Sequence, residues 1–124
     1  MYRYLITALF AGTLASGEDV AFHKSKIVDQ GEFQADLTFR TENRAVVAQV
    51  KHSVIAVVPY DSIGRVVYLM EKQQLEIHYE KVGIPLVLTI NPHKSEYQAI
   101  VDTIKLSTSL DVEIVKRRKD QKTK

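Results

Sequence analysis

Between Glu18 and Ile90 the chain is built from short runs in which β-branched and aromatic residues alternate with polar ones, the pattern of strands with one wet face. Seven segments carry it: Asp19 to Val28, Phe33 to Arg40, Arg44 to Val50, His52 to Val58, Gly64 to Met70, Gln74 to Glu80 and Pro85 to Ile90. Leu75, Ile77 and Tyr79 alternate with Glu76, His78 and Glu80, which sets one face of that strand in solvent. Val54 to Val58 is apolar at every position and predicts a strand covered on both faces. Gln30-Gly31, Glu42-Asn43, Pro59-Tyr60-Asp61-Ser62 and Val82-Gly83 supply turn residues between the runs. Connections this short predict antiparallel neighbours, because a parallel crossover takes about a dozen residues or more.

Helical spacing occurs twice. Tyr2, Leu5, Ile6, Leu9, Phe10 and Thr13 fall on one face and predict an amphipathic helix over 2–15, stopped at Ser16-Gly17. The same stretch holds an apolar run from Leu5 to Ala15, too short to span a bilayer. With Arg3 ahead of it and Thr13-Leu14-Ala15 behind, it also reads as a cleaved export signal, the alternative to a retained helix. Near the other end, Asn91 is placed to cap and Pro92 to open a helix over 92–107, with Tyr97, Ile100, Val101 and Ile104 in one stripe. A helix with a single apolar stripe lies over the open end or face of a sheet. Leu110, Val112 and Ile114 then alternate with Asp111, Glu113 and Val115, which suggests one more short strand.

A chain of 124 residues fits one domain, here residues 1–115, followed by a basic tail over 116–124. Cysteine is absent, so stability comes from packing, without disulfides or thiolate chemistry, and a cytoplasmic location fits. The net charge of +2 is uneven: Lys116, Arg117, Arg118, Lys119, Lys122 and Lys124 face only Asp120, and the body before them is mildly acidic. A basic tail on an acidic body argues against a nucleic-acid-binding domain, which carries its positive charge across a folded face. Such a tail either stays solvated or is drawn to an anionic membrane or an acidic partner.

Three segments resemble the pleckstrin-homology-like superfold, and its bacterial and GRAM-like branches most. Leu14 to Val20 is similar to the helix exit and Gly-Glu-x-Val that open the first strand in bacterial members. Leu37 to Val47 resembles their hairpin with a Thr-Asn-Arg-type turn, and Val58 to Val66 their Pro-Tyr-x-x-Ile corner. Together they span about residues 14 to 107. The resemblance implies a mostly β, α+β fold: a seven-stranded antiparallel barrel with an N-terminal helix and a C-terminal capping helix. It also implies a binding domain without catalysis, and ring-like homo-oligomers occur among bacterial relatives. Two features depart from the better-known eukaryotic members, whose phosphoinositide site joins a first-strand lysine to a basic-x-Arg group. Here Lys24 and Lys26 are present but the second group reads Thr38-Phe39-Arg40, and tryptophan is absent.

Catalytic and metal motifs are missing from the sequence. His23, His52, His78 and His93 lie on different segments without metal-ligand spacing, and only His78 between Glu76 and Glu80 shares a strand face with carboxylates. No Gly-rich phosphate loop or nucleophile elbow occurs, so no enzyme activity, cofactor or metal is expected. The candidate ligand-binding group is Lys24, Lys26, Arg40, Arg44 and Lys51, brought together if the ends of the first four strands converge, with Lys116, Arg117, Arg118 and Lys119 of the tail beside it. The leading expectation is a binding or assembly module that contacts a protein partner or itself through exposed strand edges. The rivals are a peripheral binder of anionic membrane and an exported small β protein.

Overall fold

The computed structural model describes residues 19–28 and 31–116, so the expected helix over 2–15 and the tail from residue 117 lie outside the described residues. Among these described residues ten strands and one α-helix follow in order: β1 (Val20–Phe22), β2 (Lys26–Val28), β3 (Glu32–Gln34), β4 (Asp36–Arg40), β5 (Ala45–Val50), β6 (Ser53–Pro59), β7 (Ile63–Leu69), β8 (Gln74–Lys81), β9 (Ile84–Asn91), α1 (Tyr97–Thr108) and β10 (Glu113–Val115). The segments 19–28 and 33–40, expected as continuous strands, each break in two. Ser25 and Ala35 stand at the break, both buried, with the Ala35 N–H donating to the Ser25 carbonyl at 3.0 Å. Residues this small let two strands turn sharply while staying paired, so β1 and β4 enter one sheet and β2 and β3 the other.

The seven-stranded closed barrel is corrected by this arrangement. Among the described residues the strands form a four-stranded sheet, β1-β4-β5-β6, and a six-stranded sheet, β10-β7-β8-β9-β2-β3, which do not close on each other. The opening lies where the chain passes from β6 to β7. Pro59 ends β6 without an N–H, and a 3-10 turn over Tyr60–Ser62 carries the chain into the second sheet, so β6 and β7 share no ladder. Tyr60 anchors that turn: its ring is buried and its hydroxyl donates to the Arg40 carbonyl at 2.8 Å. The purely antiparallel expectation is also overturned, because β10 runs parallel to β7. α1 is therefore a crossover from β9 to β10, with β8 and β7 between them in the sheet.

The core lies between the sheets and beneath α1. Leu37, Val46, Val58, Val66, Leu75, Ile77 and Ile90 are fully buried, and Phe22 meets Phe39 edge-on at 5.9 Å. Ile100, Thr103 and Ile104 face this core from α1, and the Thr103 hydroxyl is satisfied by the Ala99 carbonyl at 2.7 Å. The helix begins at Tyr97, later than Pro92, because Asn91 still pairs with Lys26 in the sheet. Glu96 occupies the cap position but its carboxylate serves the strand corner instead. It accepts from the His23 N–H at 3.1 Å, the Lys24 N–H at 3.2 Å and the Ser25 hydroxyl at 2.8 Å. Ser109, at φ 64°, closes the helix by donating its N–H to the Lys105 carbonyl at 2.8 Å.

Candidate functional site

The five basic residues singled out from the sequence do not form one cluster. Lys24 and Lys26 sit at the β1–β2 corner, where the Lys26 ammonium lies 4.0 Å from the Glu32 carboxylate. Arg40 and Arg44 flank the β4–β5 turn and are brought together, but each faces an acid: Arg40 with Asp19 at 4.0 Å and Arg44 with Asp61 at 3.3 Å. The Arg44 guanidinium also stands 5.8 Å from the centre of the Tyr60 ring. Lys51 occupies the β5–β6 turn at the far end of β5, roughly 20 Å from Arg44 at the rise of an extended strand. Of the tail group, Lys116 follows β10, and Arg117, Arg118 and Lys119 lie outside the described residues.

Several titratable side chains among the described residues pair off in twos. Arg65 reaches across from β7 to grip both Glu113 oxygens at 3.0 and 3.1 Å, and that hydrogen bonding holds the Glu113 carboxyl below the usual carboxylate range. His78 meets Glu76 at 3.0 Å on one face of β8, and His23 meets Asp36 at 2.8 Å. Burial pushes the Tyr60 phenol up from its ordinary value. No group of three or more histidine and acidic side chains among the described residues is placed to hold a metal ion. No described helix is long and apolar enough to cross a membrane.

The chain concentrates exposed apolar surface elsewhere, on β6 and the β8–β9 hairpin. β6 was expected to be covered on both faces; instead it forms the edge of its sheet, and Val54, Ile55 and Val57 are 54%, 44% and 49% exposed. Only Val58 of this strand is buried. An edge strand leaves alternate backbone N–H and C=O groups unpaired on its outer side. Two devices bound the run. Gln49 pairs with Val54 and Ala48 with Ala56, so Ile55 is an extra residue without an opposite number, and Pro59 removes a donor at the far end.

Beside that edge stands the hairpin tip. Val82 and Gly83 form a two-residue turn, both at positive φ (52° and 77°), between the paired Lys81 and Ile84. Glycine suits its position; valine, β-branched, does not suit the left-handed region, a placement worth about 1–3 kcal/mol of strain. Val82 is 93% exposed and Ile84 59%. A cleft of about 410 Å³ runs between the tip and the edge, lined by Val57, Pro59, Tyr79, Glu80, Lys81 and Val82. On the other flank of the hairpin a second cleft of about 530 Å³ reaches Ile63, Leu86 and Val87. The two clefts share Tyr79, Glu80 and Val82, so they adjoin along the hairpin where the sheets part, with exposed apolar side chains on both flanks. One signal of it stood in the sequence: from Ser53 to Pro59 the strand carries no charge at all.

No family model matches the chain, and no curated protein matches it. Among solved structures it is similar to the inner membrane complex sub-compartment protein 1 of Toxoplasma gondii. The TM-score is 0.57 at 13% identity, over 89% of this chain and 99% of that one. The likeness is one of fold: a small β-rich domain with the same overall course of the chain.

Proposed function

We propose that this chain is a binding and assembly module, without catalysis, that recognises protein by adding an extended segment to the free edge of β6. In this reading it belongs with pleckstrin-homology-like domains in the order of its strands and its terminal helix, although its sheets stay open. The observation that carries the proposal is β6 itself, an uncharged edge strand with Val54, Ile55 and Val57 exposed beside an apolar cleft. Monomeric sheets protect such edges with charge, covering, shortness, proline or bulges; β6 has seven residues and no charge, and the bulge at Ile55 and Pro59 limit the open stretch without covering it. Main-chain pairing supplies affinity in strand addition, and pockets for alternate side chains supply selectivity. The cleft at Val57, Pro59 and Val82 is suited to receive one such side chain.

Selection of binding peptides from a random display library tests this. Extended, β-branched segments should emerge, shift the amide resonances of β6 and its neighbour β5, and lose binding in Val57→Lys. Peptides that bind Val57→Lys as well as the wild type would place recognition elsewhere and refute the proposal.

A further inference from the structure

We infer that the apolar run ahead of the sheets, Leu5 to Ala15, packs back over the uncovered end of the β8–β9 ladder of its own chain. This goes beyond strand addition at β6 and does not depend on it. The ladder itself marks the place. Leu75 pairs with Ile90, Ile77 with Leu88, Tyr79 with Leu86 and Lys81 with Ile84, so these side chains share the face that the core covers. The first two pairs are sealed, with Leu88 the most open of them at 7%. The same row then runs on without cover: Leu86 is 36% exposed and Ile84 59%. A core-facing row that continues past the end of the core offers apolar surface to a further piece of protein. At its outer end Lys81 can keep its ammonium in water while its stem lies along apolar neighbours.

The start of the chain lies within reach of that row. Val20 pairs with Phe39, Arg40 with Ala45 and Ala45 with Pro59, so Asp19 enters the first sheet on the rung that ends at Pro59. Three strand spacings separate the two, about 14 Å. Asp19 is held there by accepting from the Thr41 N–H at 2.9 Å. Pro59 in turn shares a cleft with Tyr79, Lys81 and Val82 of the hairpin. Ser16, Gly17 and Glu18 extend about 10 Å, and the run itself covers the remainder. From Leu5 to Gly17 no side chain carries charge, and Leu5, Ile6, Leu9, Phe10 and Leu14 bring a large apolar area to bury. A segment tethered this closely arrives at an effective concentration of about millimolar, so it takes the row ahead of a free partner that offers equal contacts.

Paramagnetic relaxation on the full chain tests the contact. The chain lacks cysteine, so Ala8→Cys gives a nitroxide a single attachment point, on a small residue among the large apolar ones. The amide signals of Tyr79 to Leu86 should be lost while the label is oxidised and return when it is reduced, whereas those of Lys51 and His52, in the turn at the far end of β6, stay sharp. Leu9→Glu in the labelled chain should restore the lost signals. Ile84→Glu should restore them too, and because it stands opposite Lys81 it gains a cross-strand partner that keeps the hairpin paired. Isotope-enriched chain without label, mixed with labelled chain without enrichment, should show no loss. A loss in that mixture would assign the run to a second copy and overturn the inference. Uniformly sharp signals, losses centred on another element, or losses that survive both substitutions would overturn it as well. So would an intact mass showing that the mature protein lacks residues 1–15.

Discussion

Removing the Glu96 carboxylate should release the corner on which both sheets turn. Glu96→Ala leaves the N–H groups of His23 and Lys24 and the hydroxyl of Ser25 without the acceptor they share. A hydrogen bond to a charged group contributes about 1.5–3 kcal/mol, which sets the scale for each contact. The two N–H groups lie where water replaces the lost acceptor, so most of their share is recovered. Ser25 is fully buried, its Oγ still accepts from the His93 N–H at 3.0 Å, and its proton loses its acceptor outright. A net destabilisation of about 2–3 kcal/mol follows. For a domain of this size it corresponds to a fall in Tm of roughly 10 °C. Glu96→Gln keeps one oxygen for the Ser25 hydroxyl and should cost about half as much. Urea unfolding followed by circular dichroism, with m unchanged across the three proteins, supplies the comparison. An alanine variant within about 0.5 kcal/mol of the wild type would show that the corner holds without this carboxylate.

Three further outcomes follow from the same contacts. Val82→Asn gives the hairpin the Asn-Gly turn its backbone demands and should raise stability by about 1 kcal/mol in thermal melts while weakening peptide capture at the cleft, a loss of strain traded against a loss of apolar surface. Because Arg65 holds Glu113 below its unfolded pKa, the link stabilises the fold above the unfolded value and is lost as pH falls through the folded one; Glu113→Gln should flatten that acid limb of the Tm-against-pH curve, and an unchanged limb would assign it to other carboxylates. Ile104→Ala, at a position 1% exposed between α1 and the sheets, should cost about 2–4 kcal/mol in urea unfolding, and a cost under 1 would mean that the helix does not seal the core.

The β-rich character was legible because alternation along a strand is local: Leu75 and Ile77 turn inward and Glu76 outward from their own spacing alone. What escaped depends on partners far along the chain. Five apolar residues from Val54 to Val58 look the same in a central strand and at an edge, and only the pairing of other strands decides which. The late start of α1 has a similar cause, since Asn91, read as its cap, is held in the sheet by Lys26, far earlier in the chain. The basic group dissolved for a geometric reason. Arg44 and Lys51 bracket one strand, so they sit at its opposite ends, and strand convergence cannot unite them. Barrel closure failed to form at a corner whose residues were readable, Pro59 to Ser62, but whose direction depended on how Tyr60 buries against Arg40.

Hydrogen exchange across residues 53–59, with and without a saturating selected peptide, bears most directly on the role given to β6. Strand addition predicts that the exchange of Val57 slows by about tenfold or more on binding while the exposed face of β8 is unchanged. Equal rates at Val57 in the two states, with protection appearing on another element, would contradict it.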